Sequence, residues 1–262
     1  MQATIDITWL DLALFMLLLS IPVAISHWLQ LGIGRDIGIA VLRMTLQLLL
    51  VGIYLQFLFD LNSVWLNLTW LATMILIGAS AILSGAKLPK RLLFLPILTS
   101  ITLSLLPVLA ILLLGLLQPT PTYSAQYLIP LAGMLLGNSL SGNIVALQRL
   151  FSALAENRSE YEGRLALGAR PKQASMPFVQ SALKQSLAPI LASMATTGLV
   201  TLPGMMTGQI LGGSDPMLAV KYQLIILLAI FVVLSVCVTT SLLLSVRVVL
   251  NPSGKLLINK TN

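Results

Sequence analysis

The sequence predicts an all-α, polytopic membrane protein with about seven transmembrane helices, its N-terminus outside and its C-terminus cytoplasmic. Three observations predict it. Of the 262 residues, 57% are hydrophobic and 9% are charged, whereas a soluble domain carries about 25% charged residues. The mean hydropathy of +0.97 means that apolar residues fill the whole chain and not one anchor. Finally, the basic residues collect in loops on one side of the apolar stretches.

Seven apolar stretches are long enough to cross a bilayer. A helix needs about 20 apolar residues to span a hydrocarbon core of about 30 Å, and it satisfies its own backbone polar groups. The predicted spans are residues 9–29, 38–59, 64–84, 92–117, 127–147, 187–211 and 222–246. Because the loops between them are short, we expect residues 1–262 to form a single transmembrane domain.

The basic residues orient the chain. If the loop around Arg35 is cytoplasmic, every Lys and Arg except Lys221 falls on that side, Lys255 and Lys260 included. This excess marks cytoplasmic loops, so it places the N-terminus outside and the C-terminus inside. We expect a multi-pass protein of the bacterial inner (cytoplasmic) membrane, in contact with membrane lipid. The same residues are scattered and form no basic face, which argues against a nucleic-acid partner.

One long connection, residues 148–186, is predicted on the cytoplasmic side. Residues 162–174 predict a short amphipathic helix, a stop at Gly168 and a second helix that begins at Pro171. A glutamate six residues before a glycine resembles the coupling motif of ABC transporter permeases, in which this helix docks on the ATPase subunit. The alternative is an amphipathic linker on the membrane surface. The candidate ATPase-coupling residues are Glu162, Leu165, Gly168, Ala169, Pro171 and Lys172.

The chain carries no sign of a nucleotide site or of catalysis. It lacks the Gly-x-x-x-x-Gly-Lys-Ser/Thr loop that cradles phosphates, and no nucleophile and base are paired in it. We therefore expect a transport subunit that is not an enzyme and binds no cofactor. ATP and magnesium would bind a separate cytoplasmic ATP-binding subunit. Seven spans without an inverted repeat further predict a homodimer.

A break in the predicted sixth span is the first candidate for a gate. Proline removes a backbone hydrogen bond and glycine permits a bend, and irregular backbone at this depth survives only inside protein or beside water. Asn138 adds a polar side chain in the fifth span. The candidate residues of the translocation pathway or gate are Asn138, Met134, Pro203, Gly204, Met205, Met206 and Gly208.

The same region offers weaker signals with two interpretations each. The thioethers of Met134, Met205 and Met206 could bind a soft metal ion, or these methionines fill gaps in the packing. Small residues at steps of four, at 133, 137 and 141 and again at 204, 208 and 212, predict close helix packing. That packing lies either within one subunit or at a dimer seam or moving gate.

Three more polar residues lie within predicted spans. They are Asp11 near the outer face, and Arg43 and Gln47 one turn apart near the inner face. Such residues are functional candidates because burying them in lipid is costly. The alternatives are a structural ion pair or a long side chain that reaches the interface.

Six runs, in chain order, complete the sequence evidence. They are Ile25-Ser26-His27; Arg43-x-x-x-Gln47 with Val51-Gly52; Ile129-Pro130-Leu131-Ala132-Gly133-Met134 with Gly137-Asn138; Leu167-Gly168-Ala169 with Pro171-Lys172-Gln173-Ala174; Leu202-Pro203-Gly204-Met205-Met206 with Gly208; and Asp215-Pro216 with Lys221-Tyr222-Gln223. Together they resemble one family, the iron-export ABC permease FetB and its relatives, which include the plant aluminium-sensitivity permeases.

The resemblance implies the permease subunit of an ABC-type exporter. Such a subunit works as a dimer with a separate ATPase and moves iron or a related metal out of the cytoplasm. The alternative is a gradient-driven secondary transporter or channel for a metal or small solute. A third possibility is a membrane scaffold that transports nothing.

Overall fold

The computed structural model describes residues 8–251, so Lys255 and Lys260 lie outside the described residues. Ten α-helices occupy this part of the chain: α1 (Trp9–Met16), α2 (Ser20–Trp28), α3 (Gly34–Leu61), α4 (Val64–Ala86), α5 (Lys90–Ala110), α6 (Ala125–Glu156), α7 (Arg158–Ala166), α8 (Pro171–Thr196), α9 (Gly204–Leu211) and α10 (Pro216–Val249). A 3-10 turn, Leu17–Leu19, joins α1 to α2, and a π-helical segment, Ile111–Leu117, extends α5.

The prediction of a polytopic, all-helical membrane protein is confirmed. Among residues 8–251, six helical stretches are long and apolar enough to cross a membrane: Trp9–Trp28, Gly34–Leu61, Val64–Ala86, Lys90–Leu117, Ala125–Glu156 and Pro216–Val249. Each corresponds to one predicted span, and several extend beyond the predicted ends because the helices continue into the polar flanks.

The predicted sixth span, residues 187–211, is not one helix. Its first half is the end of α8, which stops at Thr196, and its second half is the short α9. Between them Gly198 has a φ of +88°, and its N–H donates to the Thr201 carbonyl at 2.9 Å. The break predicted at Pro203 therefore exists, but it begins earlier, since a left-handed glycine ends α8 before the proline is reached.

Five helices, α4, α5, α6, α8 and α10, pack into the core bundle. A Cβ atom on Gly78 would lie 3.3 Å from Leu136, and one on Gly85 would lie 2.7 Å from Ile144, so α4 and α6 run parallel. The start of α8 shares a cavity with Val246 and Arg247 at the end of α10, so these two helices run antiparallel. Successive spans cross a membrane in opposite directions. The predicted third and fifth spans, α4 and α6, must therefore run parallel, and the predicted sixth and seventh, α8 and α10, antiparallel, as they do here.

The first three helices lie at the edge of this bundle. Leu58 is the single buried residue of α3, and it packs with residues of α6 near the start of that helix. The ring of Tyr54 lies 4.3 Å from the ring of Trp70 on α4, measured between centroids. The Asn62 side-chain oxygen accepts a hydrogen bond from the Ala125 N–H at 3.2 Å. The C-terminal end of α3 is thus attached to the bundle, while the rest of its surface stays exposed.

We predict that Gly142→Ala destabilises the protein. A Cβ atom at this position would collide with the side chain of Leu234 on α10, which is itself buried. Overpacking of this kind costs about 1–3 kcal/mol, so the melting temperature in detergent should fall.

Gly52→Ala on α3 is the matched control, because no atom of the described chain lies within 4 Å of the position that the added methyl group would take. A helical Gly→Ala change in open space stabilises a helix by about 0.5–1 kcal/mol. Equal melting temperatures for the two variants would contradict the close contact between α6 and α10.

Candidate functional site

The turn between α7 and α8 carries the predicted coupling residues. At the end of α7 the Gly168 N–H donates to the Leu165 carbonyl at 2.9 Å, and the Ala169 N–H donates to the Arg164 carbonyl at 3.1 Å. This pair of bonds is the Schellman motif, which needs a left-handed residue at the glycine position. Gly168 has a φ of +89°. The predicted helix, glycine stop and second helix are all found.

The second helix of this element starts where the sequence predicted. Pro171 occupies the first turn of α8, where its missing N–H costs nothing. The Arg170 N–H donates to the side-chain oxygen of Gln173 at 3.1 Å, which satisfies a backbone donor that the helix leaves open. The turn is therefore held by hydrogen bonds within the chain.

One side of this element packs on the bundle and the other faces outward. Leu165 and Ala169 contact the hydrophobic core, and Tyr161 is buried, with 2% of its surface exposed. Burial raises the pKa of the Tyr161 hydroxyl, because the charged phenolate is poorly solvated there. Leu167 is 90% exposed at the tip of the turn. Leu167 therefore presents an apolar side chain at the tip of a hydrogen-bonded turn.

The outward side of α7 is charged but locally neutral. Arg158 Nε lies 2.7 Å from Glu162 Oε1, and Arg164 Nη2 lies 2.8 Å from Glu160 Oε1. Both pairs are exposed, and in each pair the two partners are four residues apart, about one helical turn. An ion pair with this spacing stabilises an isolated helix by about 0.2–0.5 kcal/mol. Glu162 is therefore occupied in an ion pair, while Gly168 and Lys172 stay exposed beside it.

Of the two pathway candidates on α6, Asn138 lies on a face that nothing in the described chain covers, together with two residues of the small-residue stripe. Gly137, Asn138 and Ser141 are exposed, and a Cβ atom on Gly137 would meet no atom of that chain within 4 Å. The Asn138 amide donates to the Met134 carbonyl of its own helix at 2.9 Å, so the amide is satisfied locally. Gly133 is closer to its neighbours, with the Met74 methyl 3.5 Å from its Cβ position.

The candidate gate residues sit on α9, which packs on α10. Pro203 is the N-cap of this helix. Gly204 and Gly208 are exposed with open space at their Cβ positions, so this stripe also faces away from the bundle. Met205 packs partly buried against the core, as Met134 does, and Met206 is half-buried. The side chains of Met134 and Met205 thus take part in packing.

No group of three or more His, Cys, Asp or Glu side chains that could hold a metal ion is gathered among residues 8–251. The remaining polar candidates lie apart from the gate. The Asp11 carboxylate accepts the Thr8 hydroxyl at 2.6 Å, and the Asp11 N–H donates back to that hydroxyl at 3.2 Å. It forms a capping box at the start of α1. Arg43 and Gln47 are exposed on α3.

A buried polar cluster between α5, α6 and α10 was not assigned to any site from the sequence. Asn143, which is 0% exposed, donates to the Ser139 carbonyl at 2.8 Å and to the Cys237 sulfur at 3.2 Å. Ser104 and Ser241 also face this sulfur. Within the described part of the chain, the Asn143 side-chain oxygen has no hydrogen-bond partner. The sequence signal for this cluster was Asn143, an asparagine within an apolar span. Its partner Cys237 lies 94 residues away in the chain, so the sequence alone does not pair them.

Comparison with known proteins gives one family. Residues 9–250 match the family described as "Uncharacterised protein family (UPF0014)". A UPF0014 membrane protein of Synechocystis is 37% identical over 86% of this chain and 87% of its own length. Protein ALUMINUM SENSITIVE 3 of Arabidopsis thaliana is 37% identical over 79% of this chain and 74% of its own length.

A third relative carries a functional name. The "Probable iron export permease protein FetB" of Escherichia coli is 33% identical over 84% of this chain and 84% of its own length. No solved structure matches the chain. The resemblance that the sequence runs indicated is therefore confirmed over nearly the whole chain.

Proposed function

The chain belongs to the UPF0014 family of membrane proteins, and on that premise we propose that it is the membrane permease subunit of an ABC-type exporter. It moves iron or a related metal out of the cytoplasm, with energy from a separate ATPase subunit that binds ATP and magnesium. The observation that carries the proposal is the hydrogen-bonded turn between α7 and α8, with the exposed Leu167 at its tip. The name of the Escherichia coli relative supports iron export.

α8 connects this turn to the candidate gate. It runs without interruption from Pro171 to Thr196, a length of about 39 Å at 1.5 Å per residue, and the break before α9 follows directly. Since α8 packs against both α6 and α10, a displacement of its N-terminus moves the helices around the gate. Pro177 and Pro189 lie inside α8, and each removes a backbone hydrogen bond and lets the helix bend.

The uncovered faces of α6 and α9 supply the second part of the proposal. Small residues on a helix surface let a second helix approach closely and increase the packing contacts, which they do not do when they face lipid. We assign these faces to a second copy of the chain, so that a homodimer encloses the translocation pathway beside Gly137, Asn138 and Gly204. In this proposal the metal is the cargo of the pathway and not a resident cofactor.

The orientation of the chain in the inner membrane is tested by labelling a cysteine at the tip of the turn. The wild-type chain has one cysteine, Cys237, and it is buried, so a membrane-impermeant maleimide should not label it in the folded protein. Leu167→Cys should be labelled only after the cells are permeabilised, because this tip is proposed to lie in the cytoplasm. Labelling of Leu167→Cys in intact cells would show that the turn lies outside the cytoplasm and would contradict the proposed topology.

Replacing Gly168 should uncouple ATP hydrolysis from transport. Gly168→Val forces a β-branched residue into a left-handed conformation, which costs about 1–2 kcal/mol and lowers the equilibrium constant for forming the turn roughly ten-fold. We expect transport per ATP hydrolysed to fall, by at most a comparable factor, while membrane insertion stays normal. The assay is metal transport and ATPase activity of the reconstituted complex.

Gly163→Ala is the matched control for this variant. Gly163 lies within α7 and has open space at its Cβ position, so it should couple as the wild type does. Normal coupling in Gly168→Val, with the protein correctly folded, would remove the turn from the mechanism.

The substrate is tested by metal accumulation in cells. Cells that lack the protein should retain more iron under iron excess, and only the chain together with its ATPase should restore export. Restoration by the chain alone would favour a gradient-driven transporter or channel. If the cells that lack the protein retain a normal amount of iron but accumulate another solute, the assignment as a permease stands and the assignment of iron as its substrate is wrong.

A further inference from the structure

A basic cavity lies between the start of α8 and the end of α10. It has a volume of about 720 Å³, and its walls include Arg170, Lys172 and Arg247 together with Val246 and Leu250. Pockets of about 300–1,000 Å³ are the usual size for small ligands. Three cations line this cavity: Arg170 directly before α8, Lys172 in the first turn of α8 and Arg247 near the end of α10. The walls that the described chain forms carry no acidic side chain.

Among the described residues, neither ion pair involves a cation of this cavity. The two ion pairs found among the described residues, Arg158 with Glu162 and Arg164 with Glu160, lie on α7 and use its acidic side chains. Residues 252–262, which follow the cavity in the chain, add two lysines and no Asp or Glu. An anion is therefore the ligand that complements these walls.

An apolar groove continues from the cavity along the same two helices. It has a volume of about 230 Å³ and shares Lys172, Val246 and Arg247 with the basic cavity. Its other walls include Met176, which is 38% exposed, and Leu243, which is 43% exposed. A small soluble anion would leave this groove unfilled, whereas an acyl chain fits a narrow apolar slot.

The position of the site also fits a lipid. Arg247 directly follows the last apolar stretch of α10, residues 222–246, so the cavity lies at the end of a membrane span, at the depth of the headgroups. The groove runs back from there toward the apolar part of α10. Basic pockets between transmembrane helices bind anionic headgroups in this way.

We propose that the cavity and groove form a binding site for an anionic phospholipid. The phosphate contacts Arg170, Lys172 and Arg247, and one acyl chain lies between α8 and α10 beside Met176 and Leu243. A lipid held there joins the N-terminus of α8 to the C-terminus of α10. The site adjoins the proposed coupling turn, but it belongs to the chain alone and does not depend on an ATPase partner.

Native mass spectrometry of the full chain in detergent tests the proposal, with phosphatidylglycerol and phosphatidylcholine of equal chain length as probes. We expect phosphatidylglycerol to be retained in preference to phosphatidylcholine. Each surface cation contributes about a five-fold gain in affinity for an anionic lipid. The double variant R170Q/R247Q should therefore weaken phosphatidylglycerol binding by roughly 25-fold. R149Q/K184Q removes the same charge from exposed positions outside the cavity and should bind as the wild type does.

A third variant separates a lipid from a soluble anion. Leu243→Asn alters an exposed residue of the groove and leaves the three cations in place, so phosphatidylglycerol should bind more weakly while the melting temperature is retained. Unchanged binding in this variant, together with displacement by inorganic phosphate, would show a soluble-anion site and overturn the lipid assignment. An equal loss in R149Q/K184Q would show non-specific charge attraction and overturn the site itself.

Discussion

The close approach of α6 to α10 at Gly142 is the contact on which the rest of the bundle depends. Helices in a bilayer gain little from the hydrophobic effect, because lipid tails are as apolar as their side chains. Close packing and interhelical hydrogen bonds take its place. Both occur here in consecutive residues, since Leu234 fills the space at Gly142 and the Asn143 amide reaches Cys237. With α10 fixed to α6, the bundle gains a wall against which α5 and α8 pack.

A second close contact fixes α4 on the other side of α6. The Cβ position of Gly85 lies 2.7 Å from Ile144, and the Gln148 amide donates to the Gly85 carbonyl at 2.9 Å. α6 is thus held between α4 and α10, and the face it leaves open carries Gly137, Asn138 and Ser141. The closely packed faces of α6 and its uncovered face therefore belong to the same helix. The proposed second copy would meet a helix that its own subunit already holds on two sides.

The sequence was most informative where structure is local. Gly168 and Pro171 predicted the turn between α7 and α8, because a Schellman motif and a proline at the first helical turn depend on a few adjacent residues. The break after α8 was placed too late, since Pro203 is the stronger signal in the sequence while Gly198 in fact ends the helix. The cluster around Asn143 was missed because its partners come from α5 and α10. Contacts between residues so far apart have no periodic signature.

Arg43 is a charged residue within a membrane-spanning helix that has no ion-pair partner among residues 8–251. It lies nine residues after the start of α3, about 13.5 Å along the helix at 1.5 Å per residue, and no ion pair to it forms among residues 8–251. The cost of a charge in lipid is avoided when its side chain reaches the interface or meets a polar partner. Among the described residues, α3 contacts the core bundle at its other end, through Leu58 and Asn62. Because Arg43 lies on the exposed part of α3, its side chain has access to the headgroups or to a second subunit.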